Sequence, residues 1–304
     1  MNTSRPVVAV VGPTAAGKSD LSVALARHVG GEIINADSMQ LYRGMDIGTA
    51  KLTPTERSGV PHHLLDVLGV REPATVAEFQ GWARDEIDAC RERDAVPILV
   101  GGSALYIRAV LDDFEFPGTD PAIRERYANQ LERIGPQHLH TLLAERDPEA
   151  AEAILPSNGR RIVRALEVIE LTGRPFAATL PRRSYVYDDV RVIGVDVPRD
   201  ELAERIQTRV DRMWAAGLVD EVRVLEADGI REGLTASRAL GYAQVLSYLA
   251  GECSESEARD ATVRRTRQFA RRQDAWFRKD PRITWLPYDA SDLFDRAARI
   301  VKSN

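Results

Sequence analysis

The segment that most constrains this chain is a phosphate-binding loop that follows directly on an apolar strand. Residues 7–11 are Val-Val-Ala-Val-Val, a run typical of a strand buried on both faces of a parallel sheet. The next segment, Gly12 to Ser19, matches the pattern G-x-x-x-x-G-K-[ST]. Leu21, Leu25 and Val29 then recur at helical spacing. A strand, a glycine-rich loop and a helix in this order predict an α/β fold that holds a phosphate at a helix N-terminus.

Each residue type in this loop suits the binding of an anion. Glycines allow the backbone N–H groups to turn inward around a phosphate. Lys18 adds a mobile positive charge, and the hydroxyl of Ser19 is a hard oxygen ligand of the kind that Mg²⁺ prefers. We therefore predict Mg²⁺ as a cofactor at Ser19. The residues predicted to bind a diphosphate or a nucleotide are Gly12, Pro13, Thr14, Ala15, Ala16, Gly17, Lys18 and Ser19.

Two other segments end predicted strands and should reach the same edge of the sheet as the loop. Asp37 follows the strand-like segment 32–36, and Gly101 to Ser103 follows the apolar segment 96–100. The carboxyl ends of parallel strands line one crevice, so these residues should face the loop. A carboxylate there could bind Mg²⁺ or accept a proton. Aspartate and serine also cap helices and turns, so a purely structural part remains open for both.

The sequence weakens the interpretation that the loop hydrolyses a nucleotide. P-loop nucleotidases usually carry an apolar strand that ends in an Mg²⁺-binding aspartate, whereas segment 96–100 ends in glycine. The guanine-reading pattern Asn-Lys-x-Asp is also missing. This favours a loop that holds the diphosphate of a leaving group rather than ATP.

The texture of the chain changes after about residue 111. Residues 112–160 contain no strand-like run, and five prolines interrupt helix-forming segments. We predict an α/β, P-loop NTPase-like parallel sheet core with a small all-helical insertion domain. The core spans 1–115 and 159–304, and the insertion spans 116–158. Further helices are predicted at 160–171, 200–216, 218–228, 236–250 and 255–278.

Charge is distributed unevenly along the chain. The net charge is −5, yet residues 259–282 hold nine basic and three acidic side chains. A basic patch on an acidic protein is typical of a nucleic-acid contact, although a solvated face paired with Asp260 and Asp274 stays open. The two cysteines are far apart, and no apolar run approaches the roughly 18 residues of a membrane span. We expect a cytoplasmic protein that does not bind membranes.

Several blocks together make the chain resemble the tRNA dimethylallyltransferase (isopentenyl-tRNA transferase) family of bacterial type. They follow the family order and span nearly the whole chain. The block from Asp37 to Lys51 is the most specific of them. The blocks are Gly12 to Ser19, Asp37 to Lys51, Gly101 to Tyr106, Arg160 to Val168, Arg209 to Met213, Gly217 to Val222, Ala239 to Tyr242, Thr266 to Gln273 and Trp276 to Arg278.

The resemblance implies a reaction and assigns its catalytic residues. A dimethylallyl group would move from dimethylallyl diphosphate to N6 of the adenosine next to the anticodon on its 3′ side, tRNA position 37, with release of diphosphate. Asp37 would be the general base. Lys18, Arg209 and Mg²⁺ on Ser19 would stabilise the departing diphosphate. A monomer is expected.

The resemblance also implies a surface that binds the anticodon stem-loop. The insertion would clasp the stem, and the arginine-rich C-terminal helix would follow the RNA phosphates. The residues expected to contact tRNA are Asp37, Ser38, Met39, Gln40, Ser103, Arg161, Ile162, Val163, Arg164, Ala165, Arg238, Ala239, Leu240, Gly241, Tyr242, Ala243, Arg264, Arg267, Arg271 and Arg272.

Two other functions use part of the same residues. A P-loop small-molecule kinase would use the loop, Lys18 and Asp37, with ATP as phosphoryl donor, but leaves the arginine-rich helix without a part. A nucleotide-gated RNA-binding protein would use that helix but leaves Asp37 unexplained. Transfer of label from dimethylallyl diphosphate to tRNA separates the three functions.

Overall fold

A six-stranded parallel sheet organises the chain in the computed structural model, which describes residues 5–114, 116–176 and 184–303. The strand order is β3-β2-β4-β1-β5-β6, and every neighbouring pair is parallel. The strands are β1 (Val7–Val11), β2 (Gly31–Asn35), β3 (His62–His63), β4 (Val96–Gly101), β5 (Val190–Asp196) and β6 (Ile283–Pro287). The predicted α/β parallel-sheet core is confirmed.

Strand β1 lies near the middle of the sheet and is fully buried along its length. Its last residue, Val11, is in register with Gly101 of β4 and Gly194 of β5. The carboxyl end of β1 therefore opens between two neighbouring strand ends. This is the position at which a parallel sheet places a ligand crevice.

Eleven α-helices accompany the sheet in the described ranges, none of them long and apolar enough to span a bilayer. They are α1 (Lys18–Val29), α2 (Val76–Glu92), α3 (Ala104–Leu111), α4 (Pro121–Arg146), α5 (Pro148–Ala153), α6 (Gly159–Thr172), α7 (Arg199–Ala215), α8 (Leu218–Ala227), α9 (Tyr242–Leu249), α10 (Glu255–Phe277) and α11 (Leu293–Lys302).

The helix predicted at 236–250 begins later than expected. A separate 3₁₀ turn occupies Ala236–Arg238, and Ala239 then leaves helical conformation with an extended backbone. Gly241 has φ of +87°, which an α-helix does not tolerate, so α9 starts only at Tyr242. The helical periodicity is correct from there onward.

The insertion forms a compact unit of its own, Asp112–Ser184, separate from the unit made of Met1–Leu111 and Tyr185–Asn304. The regular elements among its described residues are the helices α4, α5 and α6, and α4 is interrupted at Gly135, where φ is +78°. Its apolar core packs Tyr127 and Leu139 of α4 against Ile162 and Leu166 of α6.

The far boundary of the insertion differs from the predicted residue 158. Helix α6 was assigned to the sheet core, but its apolar face lies in the core of the Asp112–Ser184 unit. Glu167 of α6 is fully buried there and pairs with Arg124 at 2.9 Å and Arg164 at 2.8 Å. Residue 115, the predicted end of the first core segment, lies outside the described residues.

Candidate active site

The loop between β1 and α1 has the shape that an anion requires. Gly12, Ala15 and Gly17 all have positive φ, at +145°, +64° and +93°. Ala15 is the informative case, because a residue with a Cβ seldom adopts this conformation without a functional reason. No side chain caps the N-terminus of α1, so its first N–H groups face the loop.

Lys18 and Arg209 both interact electrostatically with the carboxylate of Asp37. The Nζ of Lys18 donates to the carbonyl oxygen of Pro13 at 2.8 Å. The pKa of Lys18 is lowered to about 8, chiefly by burial and next by the charge of Arg209, and Asp37 partly opposes both effects. Burial also lowers the pKa of Arg209, and Asp37 again opposes that shift. The structure therefore brings together Lys18, Arg209 and Asp37, which are 19 and more residues apart in sequence.

Asp37 is held in a tight turn directly after β2. The side chain of Asn35 accepts from the Asp37 N–H at 2.9 Å and donates to the Asp37 carbonyl at 3.0 Å. The Oδ1 of Asp37 accepts from the Met39 N–H at 2.9 Å. These bonds fix the carboxylate at the carboxyl end of the strand, as the sequence predicted.

The end of β4 packs tightly against the residue before Asp37. A Cβ at Gly101 would lie 2.5 Å from the carbonyl oxygen of Ala36, so only glycine fits there. Ser103 follows, half-buried, and precedes α3. Tyr106 of α3 is buried and hydrogen-bonded to Ser38; burial raises the pKa of Tyr106 to about 12, so it stays a neutral phenol.

The loop after Asp37 is anchored by a single carboxylate on α8. Glu221 accepts from the N–H groups of Asp46, Ile47 and Gly48 at 3.1, 2.7 and 3.3 Å. It also accepts from the hydroxyl of Tyr242 at 2.5 Å. Sequence reasoning missed this part of Glu221, because three backbone donors leave no pattern of side chains.

The carbonyl oxygen of Thr49 joins this loop to the catalytic candidates. Arg209 donates to it at 3.1 Å and Gln40 at 3.2 Å. Arg209 thus belongs to a fixed network rather than to the solvated surface of α7.

A cleft of about 940 Å³ opens beside the phosphate loop. Lys18, Ser19 and Arg209 line it, whereas Asp37 does not. Because Lys18 and Arg209 also interact with Asp37, the two cations connect the cleft with the carboxylate.

Two more arginines on α7 line the cleft and were missed from sequence. Arg205 donates from Nε to the carbonyl oxygen of Ala15 at 2.8 Å and lies over the ring of Tyr288. Arg212 lines the same cleft. Residues 205, 209 and 212 recur at helical spacing on one face, and this periodicity of like charges was the available signal.

Ser19 carries an oxygen ligand of the kind that Mg²⁺ prefers. Its hydroxyl lies in the first turn of α1 and lines the cleft beside Lys18, where diphosphate oxygens would complete an oxygen-only shell. The ligand atoms of Glu32, His63 and Cys90 also lie within 4.8 Å of one another. There, however, Arg93 pairs with Glu32 at 2.6 Å, and burial with the Glu32 charge raises the pKa of Cys90 to about 12. That cluster is an ion-pair network around a thiol.

The predicted RNA contacts on α9 and the turn before it divide by exposure. Arg238 is exposed, and Leu240 and Ala243 are half-buried. Ala239 and Tyr242 are buried in the core of the sheet unit. A Cβ at Gly48 would lie 2.4 Å from the Tyr242 ring, so this tyrosine supports the loop and does not present its ring to solvent.

On α10 the predicted arginines also fall into two groups. Arg264, Arg271 and Arg272 are exposed. Arg267 instead leans onto α7, where it donates to the carbonyl oxygen of Ala203 at 3.2 Å. Arg267 was predicted on the exposed face because helical periodicity alone does not locate the neighbouring helix.

The segment Arg161 to Ala165 lies in the Asp112–Ser184 unit, on α6. Ile162, Val163 and Ala165 are buried in its apolar core, so their side chains pack inside the unit. Arg164 donates to the carbonyl oxygens of Pro117 and Gly118. Arg161 is exposed at the first turn of the helix.

The chain is similar to a family model, to curated relatives and to solved structures. The family model described as IPP transferase matches residues 40–280. A tRNA dimethylallyltransferase of Streptomyces coelicolor is 68% identical over 286 residues, covering 94% of this chain and 91% of the relative. One from Thermobifida fusca is 65% identical over 300 residues, covering 97% and 94%.

Solved structures show the same similarity. The full-length tRNA isopentenylpyrophosphate transferase of Bacillus halodurans is 40% identical with a TM-score of 0.72, over 98% of this chain and 95% of that one. A eukaryotic dimethylallyltransferase acting on tRNA is 26% identical with a TM-score of 0.83, over 96% and 76%. These similarities favour transfer of a prenyl group over the small-molecule kinase.

Proposed function

Because this chain belongs to the IPP transferase family, we propose that it transfers the dimethylallyl group of dimethylallyl diphosphate to tRNA. The acceptor is N6 of the adenosine next to the anticodon on its 3′ side, at tRNA position 37, and diphosphate is released. The observation that carries this proposal is the electrostatic contact of Asp37 with Lys18 and Arg209 at the carboxyl edge of the sheet.

The reaction replaces one bond by another at C1 of the allylic group. N6 of adenine forms a bond to C1 while the bond from C1 to oxygen breaks, and the diphosphate keeps the electron pair. The proton lost from N6 goes to the Asp37 carboxylate. An exocyclic amine is a poor nucleophile, so a base held in place by Asn35 and Met39 raises its reactivity as the new bond forms.

The leaving group is the larger electrostatic task. Positive charge on the allylic carbon is delocalised, so the barrier depends on how well the site holds the departing diphosphate. The uncapped N–H groups of α1, Lys18 and Arg209 offer fixed positive charge in the cleft. When bound at the Ser19 hydroxyl, Mg²⁺ would neutralise part of the diphosphate charge.

The substrates would reach the site from different sides. Lys18 and Arg209 line the cleft, which suits the diphosphate, whereas Asp37 does not line it and interacts with both cations, which suits the adenine. The adenosine must leave its stack, and this costs least in a loop where pairing is absent. An anticodon loop meets that condition.

The RNA surface of the sheet unit is best supported on α10. Arg264, Arg265, Arg271 and Arg272 are exposed there, and such side chains bind RNA phosphates. In the Asp112–Ser184 unit, Arg161 is the exposed member of the predicted segment. We propose that the anticodon stem-loop binds through these arginines, that the protein acts as a monomer, and that it works in the cytoplasm, where tRNA is modified.

A transfer experiment tests the proposal against its rivals. The protein is incubated with unmodified tRNA, labelled dimethylallyl diphosphate and Mg²⁺, and the RNA is digested to locate the label. We expect label on the adenosine at position 37 and none when that base is changed to guanosine. ATP turnover without labelled RNA would favour the kinase, and tight tRNA binding without any product would favour the RNA-binding protein.

A further inference from the structure

A buried glutamine on α10 joins the phosphate loop to the end of strand β4. The Oε1 of Gln273 accepts from the N–H of Thr14 at 2.9 Å. Its Nε2 donates to the carbonyl oxygen of Gly102, also at 2.9 Å. Gln273 is 8% exposed, and 259 residues separate it from Thr14. One side-chain amide thus connects three elements at the base of the site.

Only an amide side chain of this length satisfies both partners. A backbone N–H only donates and a carbonyl oxygen only accepts, so the orientation of the Gln273 amide follows from its neighbours. Methionine, of similar length, would leave both backbone groups without a partner. A glutamate would still accept from Thr14 but would place a second acceptor against Gly102.

The sequence leaves room for this contact by placing glycine at 102. A Cβ there would lie 2.3 Å from the Nε2 of Gln273 and 3.4 Å from the carbonyl oxygen of Gly12. The glycine at 102 therefore admits the amide where β1 and β4 end. This explains a glycine that helix and strand periodicity leave unexplained.

The bond to Thr14 lies at the point where the loop begins its unusual turn. The next residue, Ala15, has φ of +64°, and the N–H of Ala16 donates to the carbonyl oxygen of Pro13 at 3.3 Å. The same carbonyl accepts from Lys18 at 2.8 Å. The Thr14 N–H is directed at Gln273 and is therefore not a donor to a bound phosphate.

We propose that Gln273 is a positioning residue that holds the phosphate loop in its diphosphate-binding conformation and ties it to α10. Its neighbours on the helix, Arg271 and Arg272, are exposed and belong to the RNA surface proposed above. The inference rests on the proposed function in that the anion held by the loop is the diphosphate of the prenyl donor. A loop that already has its binding conformation loses little conformational entropy when the anion binds, whereas a loop without this anchor loses more at every binding event.

The first test measures binding of Mg²⁺-pyrophosphate to the full chain by calorimetry. Gln273→Met should weaken this binding roughly tenfold, because two buried backbone groups lose their partner and the loop its anchor. The KM for dimethylallyl diphosphate should rise by a similar factor, while the KM for tRNA stays within about twofold of the wild-type value. Gln268→Met is the matched control, since Gln268 is exposed on the same helix.

A second variant disturbs the same contact from the opposite side and leaves Gln273 in place. In Gly102→Ala the new Cβ displaces the end of a flexible side chain, so the protein should still fold. It should weaken pyrophosphate binding by a factor similar to that of Gln273→Met. The double variant should bind pyrophosphate no more weakly than either single variant, because both substitutions disrupt the same contact.

The outcomes separate this inference from the proposed function. If both variants lower the melting temperature but bind pyrophosphate as tightly as the wild type, Gln273 is only structural and the inference is overturned. The same holds if their effects on pyrophosphate binding multiply in the double variant. If the wild-type protein labels no tRNA, the proposed function fails, and the pyrophosphate measurements still decide the part of Gln273.

Discussion

Two lysines of the sheet unit line the same cleft, and their charged ends have different partners. Lys51, whose side chain is 3% exposed, pairs with Asp46 at 2.6 Å and Asp66 at 2.5 Å, and it donates to the carbonyl oxygen of Tyr42 at 3.0 Å. Lys18 donates to a single backbone oxygen, and a neighbouring arginine adds to the positive charge.

The difference separates a structural cation from one that awaits an anion. A buried charge costs free energy unless it is paired, and Lys51 is paired twice. No described carboxylate lies in hydrogen-bond contact with Lys18. Its charged form is therefore less favourable than in water, and its pKa is lowered. Both lysines line the cleft, so lining alone does not identify the ligand-binding one.

Between the two lysines, the larger effect on the reaction should come from Lys18→Met. The single-turnover rate of prenyl transfer should fall roughly 10²- to 10³-fold, because a preorganised cation at the leaving group is lost. Stability in urea should not fall, since the substitution removes a desolvated charge. A large loss of stability would contradict the comparison and make Lys18 a structural lysine.

Lys51→Met should show the opposite profile. The free energy of unfolding should drop by about 1 kcal/mol, because Asp46 and Asp66, which are both partly exposed, lose their cation and the carbonyl oxygen of Tyr42 loses its donor. Urea denaturation measures this, and pyrophosphate affinity of the folded protein should change less than twofold. Weak pyrophosphate binding by a stable Lys51→Met protein would make Lys51 a second ligand-binding lysine.

The same comparison extends to the arginines of α10. Arg271 and Arg272 are exposed, whereas Arg278 pairs with Asp196 and with Asp274. Changing both Arg271 and Arg272 to alanine should weaken tRNA binding roughly tenfold and reduce the slope of log K against log[salt] by about 1.5. Arg278→Ala, the matched control, should leave that slope unchanged. An equal change in both proteins would remove the proposed RNA face.

The smallest effect concerns pH. The pKa of Lys18 is lowered to about 8, so the cation is present below that pH and is lost as the pH rises through it. Above pH 8, the affinity of the wild-type protein for pyrophosphate should therefore fall a few-fold more than the affinity of Lys18→Arg, because the guanidinium of that variant stays charged. Parallel profiles for the two proteins would show that Lys18 does not titrate in this range.

The fold was predictable where local patterns decide it. Strand β1 and helix α1 follow from an apolar run, a loop motif and a glycine stop at Gly30, and these act within a few residues. Among the elements that were missed are β6, which is short and has few alternating residues, and α11, which begins a few residues after it. The predicted domain boundary before α6 was wrong, because the apolar face of an amphipathic helix does not indicate which of two cores it packs against.

The site was predictable to the same extent. Asp37 follows from the rule that strand ends share one edge, and the family motif supplied Arg209. Gln273 and Glu221 were missed because they bind backbone atoms, which every residue carries. The hydrogen bond of Arg267 could not be predicted, because its partner, the carbonyl oxygen of Ala203, lies on another helix. Contacts between a side chain and a distant backbone need coordinates.

The proposed reaction requires Asp37 above all other residues, because Asp37 is the base that activates the adenine amine. Asp37→Asn keeps an oxygen for the Met39 N–H and removes the proton acceptor, so the turn should survive. The direct measurement is the single-turnover rate of N6 alkylation with tRNA and dimethylallyl diphosphate both bound. We expect a fall of roughly 10²- to 10⁴-fold with affinities for both substrates within about twofold. An unchanged rate, or loss of tRNA binding in place of a lost rate, would contradict the account.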